Sequence, residues 1–260
     1  MRRRSGILLV VCAGLVGAGP CAAGEAIVDL THPFSDETIY WPTAEGFRLK
    51  VEAEGVTEKG FYYAANSFCA AEHGGTHIDS PIHFSEGQAT VDEIPLERLI
   101  GEGVLIDVSA AAAKDRDYQV TVEDLRRWEE RHGRIPEGAI VLLRTGWGRF
   151  YPDAARYLGT ARKGPEAVAD LHFPGLAPEA ARWIVEGRSI GSIGLDTASI
   201  DHGQSTRFES HQILFAAGIP AFENVAHLDR LPPEGFRIIA LPMKIRGGSG
   251  SPLRIVAIRE

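Results

Sequence analysis

The chain has 260 residues, with 27 basic against 35 acidic side chains and a net charge of −8. That acidity disfavours nucleic acid and anionic membrane as partners, because both repel it. The length supports one domain with a sizeable core, and no repeat, linker or low-complexity tract divides it.

The first 23 residues read as a secretory signal. Arg2, Arg3 and Arg4 form a charged region, Ile7 to Gly19 an apolar region, and Cys21-Ala22-Ala23 a small-residue cleavage site, with Ala26 a second candidate. The apolar run is short and glycine-rich for a membrane span. Pro20 argues against a lipoprotein reading of Cys21. Cleavage after Ala23 is expected to leave an exported domain of residues 24–260, periplasmic in a bacterium. Three arginines and no acids go with the signal, so the mature net charge is −11. Cys12 and Cys21 also go, which leaves Cys69 alone and allows no internal disulfide. A lone cysteine of this kind is expected to be buried and inert.

Ile27 to Thr31 predicts a first strand. Pro33 and Pro42 mark loops, and Tyr40-Trp41 is an aromatic pair beside the second. Trp41 either stacks on a planar substrate or covers the edge of the core. Phe47 to Ala53 alternates like a strand.

Ser67 to Phe84 reads SFCAAEHGGTHIDSPIHF and holds His73, His77, Asp79 and His83. Imidazole and carboxylate at this density point to a metal site with an acid–base group beside it. Gly74, Gly75 and Pro81 argue against a helix. In extended chain all four side chains share one parity, yet His73 and His77 would stand about 13 Å apart at roughly 3.3 Å per residue. Sharing an ion therefore requires a bend, and Gly74-Gly75 and Pro81 are where the chain can make one.

Leu96 to Ile100 predicts a short helical turn and Val104 to Val108 a buried strand. Thr121 to Gly133 is the clearest helix, capped by Thr121 with Asp124 three residues on and ended by Gly133. His132 in its last turn reads as structural. Ala139 to Arg144 is a second buried strand, followed by a Gly- and aromatic-rich loop, TGWGRFY. Residues 151–175, including His172, read as irregular surface structure. Pro178 opens a helix that runs to about Glu186. Ile190 to Asp196 is a strand, ASIDHGQST a polar loop, and Phe208 to Ala217 a helix carrying His211. Glu223 sits in an apolar context. Residues 237–242 and 253–258 are strands around GGSGSP. Strands and helices alternate along the length, which predicts an α/β or α+β domain.

Two catalytic motifs fail on context. Gly187-Arg-Ser189-Ile-Gly191 matches the nucleophile elbow, but that elbow needs a strand before the serine and a helix after it. Here the order is reversed. His73-Gly-Gly-Thr-His77 has the histidine spacing of a helical zinc protease, but it lacks the glutamate and its glycines break helices.

The segment His73-x-Gly75-Thr76-His77-x-Asp79-x-Pro81-x-His83-Phe84 resembles the signature of the cyclase family of metal-dependent hydrolases, which includes bacterial kynurenine formamidase and isatin hydrolase. The resemblance extends to Tyr40-Trp41-Pro42, to Gly194 through Asp201, to His211-Gln-Ile-Leu-Phe, to Phe222-Glu223-Asn224 and to Pro242 through Pro252. It implies a swivelling β/β/α domain with a mixed sheet, assembled as a homodimer or homotetramer. It implies that His73, His77 and Asp79 hold one metal, that His211 and Glu223 complete a second position, and that Asp79 and Glu223 bridge. It also implies His83 as general acid–base and Trp41 as a contact to an aromatic substrate. His211 would otherwise read as a core histidine. Asp196, Asp201 and His202 either line the pocket or tie down their own loop.

The residue types suit amide hydrolysis, because a divalent ion lowers the pKa of bound water to about 7 and polarises a carbonyl. Nitrogen and oxygen ligands without thiolate fit Zn2+, and Mn2+ is compatible. The leading expectation is an arylformamidase that releases formate from N-formylkynurenine, with an isatin hydrolase or other cyclic amide hydrolase as the alternative. A metal-containing small-molecule binding protein without catalysis is the alternative from another class.

Overall fold

The structure is a computed structural model that describes residues 27–259. The expected signal segment, residues 1–23, lies outside the described residues. The strands are β1 (Ile27–Asp29), β2 (Arg48–Val56), β3 (Tyr62–Cys69), β4 (His77–Asp79), β5 (Ile100–Asp107), β6 (Gln119–Val120), β7 (Ile140–Arg144), β8 (Gly175–Leu176), β9 (Ser192–Leu195), β10 (Ala221–Glu223), β11 (Phe236–Pro242) and β12 (Gly250–Arg259). The helices are α1 (Ser109–Ala112), α2 (Val122–His132), α3 (Ala154–Tyr157), α4 (Pro178–Gly187) and α5 (Glu209–Ala216).

The main sheet runs β1-β12-β11-β5-β7-β9-β10-β4, and β4 pairs back onto β12. That last pairing closes the sheet into a barrel, with β1 beside the far end of β12. β5, β7, β9 and β10 pair in parallel, and the remaining ladders of this sheet are antiparallel. This is the mixed-sheet α/β domain expected from the swivelling β/β/α resemblance.

Two buried faces explain the continuous apolar runs of β5 and β7. Val104, Ile106, Val141 and Leu143 point outward into a cluster with Leu125 and Trp128 of α2 and residues of α4 and α5. Leu105, Ile140 and Leu142 point inward and pack with Ile78, Phe222 and Ile255. α2 carries the expected capping box: Thr121 Oγ1 accepts from Asp124 N at 3.2 Å, and Asp124 Oδ2 accepts from Thr121 N at 2.9 Å. A cap of this kind contributes about 1 kcal/mol. His132 stacks on Trp128 at 4.9 Å and pairs with Glu234, a structural role as expected.

Three readings need correction. Residues 151–175 are not surface filler. Tyr157, Leu158, Leu171 and Phe173 form a third buried cluster with Ile39 and Trp147. Trp147 Nε1 donates to Tyr157 O at 2.7 Å, and the Tyr157 hydroxyl lies 2.9 Å from Asn224 Oδ1. The segment has no helical or strand period, so burial of its aromatics has no local signature. The loop after β9 is also interior: Asp196, Thr197, Ser199, Ile200 and Asp201 are all buried. Polar side chains there satisfy backbone groups rather than face water. Finally, Cys69 is exposed, at the end of β3. That strand belongs to a β2–β3 hairpin standing off the barrel, so a residue beside the site in sequence is carried away from it.

Candidate metal centre and its aromatic cavity

The histidine stretch bends where the glycines and the proline predict. Gly75 adopts φ +56°, which favours glycine, and a Cβ on Gly74 would stand 2.1 Å from the buried Tyr40 ring. After this turn the rings of His73 and His77 lie 5.5 Å apart. Pro81 then starts a 3-10 turn, Pro81–His83, which brings His83 back to stack on His73 at 3.8 Å.

The far half of the centre comes from barrel closure. β10 runs antiparallel to β4 with Glu223 opposite His77 and Ala221 opposite Asp79. α5 brings His211 to the same point. His211 Nε2 lies 3.3 Å from Asp79 Oδ2 and 3.2 Å from Glu223 Oε1. The five expected ligands, His73, His77, Asp79, His211 and Glu223, therefore converge, with His83 Nε2 4.0 Å from Asp79 Oδ2.

The candidate ligand atoms converge in two sets. One set of converging ligand atoms is His73, Asp79 and His83, and the other is His77, Asp79 and Glu223. Asp79 belongs to both, as a bridge would. His77 groups with Glu223 because the β4–β10 register faces them. His83 groups with His73 because the turn at Pro81 stacks their rings.

The outer ring nitrogens fix the inner ones. His77 Nδ1 stands 2.9 Å from Gly75 O, a carbonyl with no proton, so Nδ1 donates. Its Nε2 is buried without a hydrogen-bond partner, 3.0 Å from Asp79 Oδ1 and 3.5 Å from Glu223 Oε2. Ser249 Oγ donates to Glu72 Oε2 at 2.7 Å and so accepts from His73 Nε2 at 2.8 Å. That leaves His73 Nδ1 facing Asp79 Oδ1 at 2.7 Å. Neutral imidazole lone pairs aimed at carboxylate oxygens repel unless a cation lies between them. The residues fit a divalent cation on this ground, and the clustered donors are nitrogen and oxygen only.

Taken alone, the side chains show the same frustration. Burial would raise the Asp79 carboxyl, but His73, His211 and His77 outweigh it and hold it well below the usual carboxylate range. Burial and the charge of Asp79 push Glu223 upward. Burial opposes charge on His77, yet the close contact with Asp79 and the charges of Asp79 and Glu223 take it up to about 8. His83 differs: burial takes it down to about 4, against the pull of Asp79, so it is neutral at pH 7.

A cavity of about 290 Å³ opens onto the centre. Trp41, Phe84 and Phe208 form aromatic walls, with Phe84 and Phe208 5.3 Å apart. Trp41 lies edge-on to Phe173 at 6.4 Å, so it both lines the cavity and covers a core edge. Phe84, Phe208 and Asn224 line this cavity without having been singled out as site residues. Phe84 and Asn224 sit inside resemblance segments, which was a usable signal. Phe208 adopts φ +51°, which its sequence does not announce. Asp196 ties down its neighbours, accepting from Thr145 N at 2.7 Å. His172 pairs with Asp117, and neither it nor His202 lines the cavity. Ser189 follows α4 and precedes β9, the wrong context for an elbow.

The cyclase family model matches residues 28–202. The chain belongs to the cyclase family. An isatin hydrolase of Roseibium aggregatum is 33% identical over 220 residues, spanning 80% of this chain and 81% of that protein. A kynurenine formamidase of Salinibacter ruber is 28% identical over 232 residues, spanning 89% and 96%. The solved structure of isatin hydrolase A from Labrenzia aggregata, bound to benzyl benzoate, superposes with a TM-score of 0.80 at 37% identity over 90% of this chain and 94% of that one. The ligand cluster and the family together support a metal-dependent amidohydrolase.

Proposed function

We propose that this protein is a metal-dependent hydrolase that opens the cyclic amide of an isatin-type aryl lactam. The observation that carries the reading is the ligand cluster at the floor of a small cavity walled by Trp41, Phe84 and Phe208. A flat bicyclic substrate suits such walls. The higher identity to isatin hydrolases than to kynurenine formamidases supports the cyclic substrate over the arylformamide.

His73, His77, Asp79, His211 and Glu223 would hold one or two divalent ions, with Zn2+ the first choice and Mn2+ compatible. The bound ion supplies Lewis acidity at the amide carbonyl and an acidified water. His83 is neutral at pH 7, partly exposed to the cavity and 4.0 Å from Asp79. It takes a proton from the water and returns it to the departing nitrogen. The amide C–N bond breaks, a C–O bond forms, and the products are a carboxylate and an arylamine on one molecule. Trp41 and Phe208 orient the ring against the centre.

The test is turnover of isatin, N-formylkynurenine and simple cyclic imides by purified protein with added Zn2+ or Mn2+. Isatin is expected to turn over fastest, and absence of metal-dependent turnover of all of them would overturn the reading. His83→Ala is expected to keep the metal and lower kcat by about 10²–10⁴-fold. Unchanged turnover would remove His83 from the chemistry, and a wild-type protein that binds these compounds without turning them over would be the non-catalytic alternative.

The same proposal includes a homodimer or homotetramer built on the β2–β3 hairpin. Leu49, Val51, Phe61, Tyr62, Tyr63 and Phe68 each expose more than half of their surface. An isolated two-stranded hairpin is marginal in water and needs a surface to pack on. The hairpin carries Arg48, Lys50 and Lys59 against Glu52, Glu54 and Glu58, a balance that a second copy can meet. Phe34, Phe47 and Phe68 continue its apolar surface onto the barrel. Light scattering of a Phe61→Ser, Tyr62→Ser, Phe68→Ser variant is expected to report a monomer against an oligomeric parent. An oligomeric variant would place the interface elsewhere. Export also belongs to this proposal, resting on the residue 1–23 pattern. Among the described residues no helix is long and apolar enough to cross a membrane.

A further inference from the structure

Asp201 lies in the buried loop after β9 and touches the centre only through His211. Both residues are 2% exposed. Asp201 Oδ2 lies 2.6 Å from His211 Nδ1 and accepts the His211 backbone N–H at 3.1 Å. Asp201 Oδ1 accepts from Ser210 N at 3.1 Å and faces the Ser205 hydroxyl at 3.4 Å. Ser205 Oγ in turn accepts the N–H of Phe208, the cavity-wall residue at φ +51°.

We propose that Asp201 is a positioning residue that locks His211 as the Nδ1–H tautomer, so that its Nε2 lone pair builds a cation position with Asp79 and Glu223. The proposal rests on the reading of this cluster as a metal centre. An ionised carboxylate only accepts, so the short contact to Nδ1 requires the proton there. In the neutral ring Nε2 then carries no hydrogen, and it is aimed at two carboxylate oxygens, 3.3 and 3.2 Å away, where a bound cation would take the place of a second proton. A carboxylate behind a ligating imidazole fixes ring orientation and raises ligand basicity. His73 and His77 are oriented by Ser249 Oγ and Gly75 O, so Asp201 supplies the one charged support among the three.

The competing reading is that Asp201 merely satisfies the first N–H groups of α5. The two roles separate by substitution. In Asp201→Asn an amide NH2 must face either His211 or Ser210, and the groups that these two residues point at it are N–H donors. Turned toward His211, it forces the imidazole to accept at Nδ1 and carry its proton on Nε2, which blocks the ligand lone pair. Turned toward Ser210, it loosens the turn that carries the ring.

The experiment is long-range 15N NMR of the zinc-loaded protein with labelled histidine, the His211 ring assigned by His211→Gln. In wild type the expected pattern is a protonated Nδ1 and a metal-shifted Nε2. Asp201→Asn is expected to lose that pattern and to weaken zinc binding about 10–100-fold in competition with a chromophoric chelator. A wild-type His211 with its proton on Nε2 would overturn the proposal, and that measurement stands even if the variant does not fold. A folded Asp201→Asn with unchanged zinc affinity would also overturn it, leaving only the helix-end role. Failure of the substrate reading looks different: isatin would not turn over, while the His211 signature and zinc affinity stayed as expected.

Discussion

Asp79→Asn is expected to strip the centre of its divalent cation and to lower kcat/KM on the proposed substrate by more than about a thousandfold. Asp79 belongs to both groups of converging ligand atoms, so one substitution removes a charged oxygen from each. Asparagine keeps the shape but brings an amide hydrogen toward His73, His77 or His211, all of which present lone pairs to this side chain. Metal analysis after dialysis reads the first effect and steady-state kinetics the second. Chelation of the wild type should reproduce the loss, and re-addition of Zn2+ or Mn2+ should restore it only in the wild type. An asparagine variant that keeps both metal and turnover would show that Asp79 does not bridge.

Gly74→Ala is the second change with a large expected effect. The new Cβ would stand 2.1 Å from the Tyr40 ring, and Tyr40 is 1% exposed, so the ring has nowhere to go. Overpacking of this kind costs about 1–3 kcal/mol or more. Tyr40 is bridged to Gly74, and Gly75 N donates to Ile39 O at 2.9 Å, so relief of the clash must open the turn between His73 and His77. Both a lower Tm and weaker metal binding are therefore expected, the second persisting well below the melting transition. Gly46→Ala is the control, because nothing lies within 4 Å of its added Cβ. Equal behaviour of the two variants would mean that the Gly74 turn does not hold the centre.

Much of the centre was legible from residue types. Four potential ligands between His73 and His83, two glycines and a proline announce both the chemistry and the bend. His211 and Glu223 became legible only through the resemblance, since each alone reads as an ordinary helix or strand residue. The capped helix α2 and the apolar strands β5 and β7 follow from local pattern, because short-range periodicity reflects the faces they bury. The 151–175 segment shows the opposite case. Its aromatics fill a cluster against Ile39 and Trp147, partners far away in sequence. No local period records such packing. Phe208 is a similar case: a bulky residue at positive φ is held there by Ser205 and its loop, not by its own preference.

By itself the sequence determined which side chains are available as ligands, where the chain must bend between them, and which family the chain belongs to. Those properties are local, set by residue chemistry, by glycine and proline backbone limits, and by a compact signature. Only the tertiary structure decided which of these side chains face one another. Glu223 faces His77 because β10 pairs with β4 in one register, and a slip of one residue would turn it to the other side of the sheet. His211 presents Nε2 because Asp201, ten residues earlier, packs behind Nδ1. Registers and ring orientations are settled when the barrel closes, since only then do groups distant along the chain come within hydrogen-bonding reach.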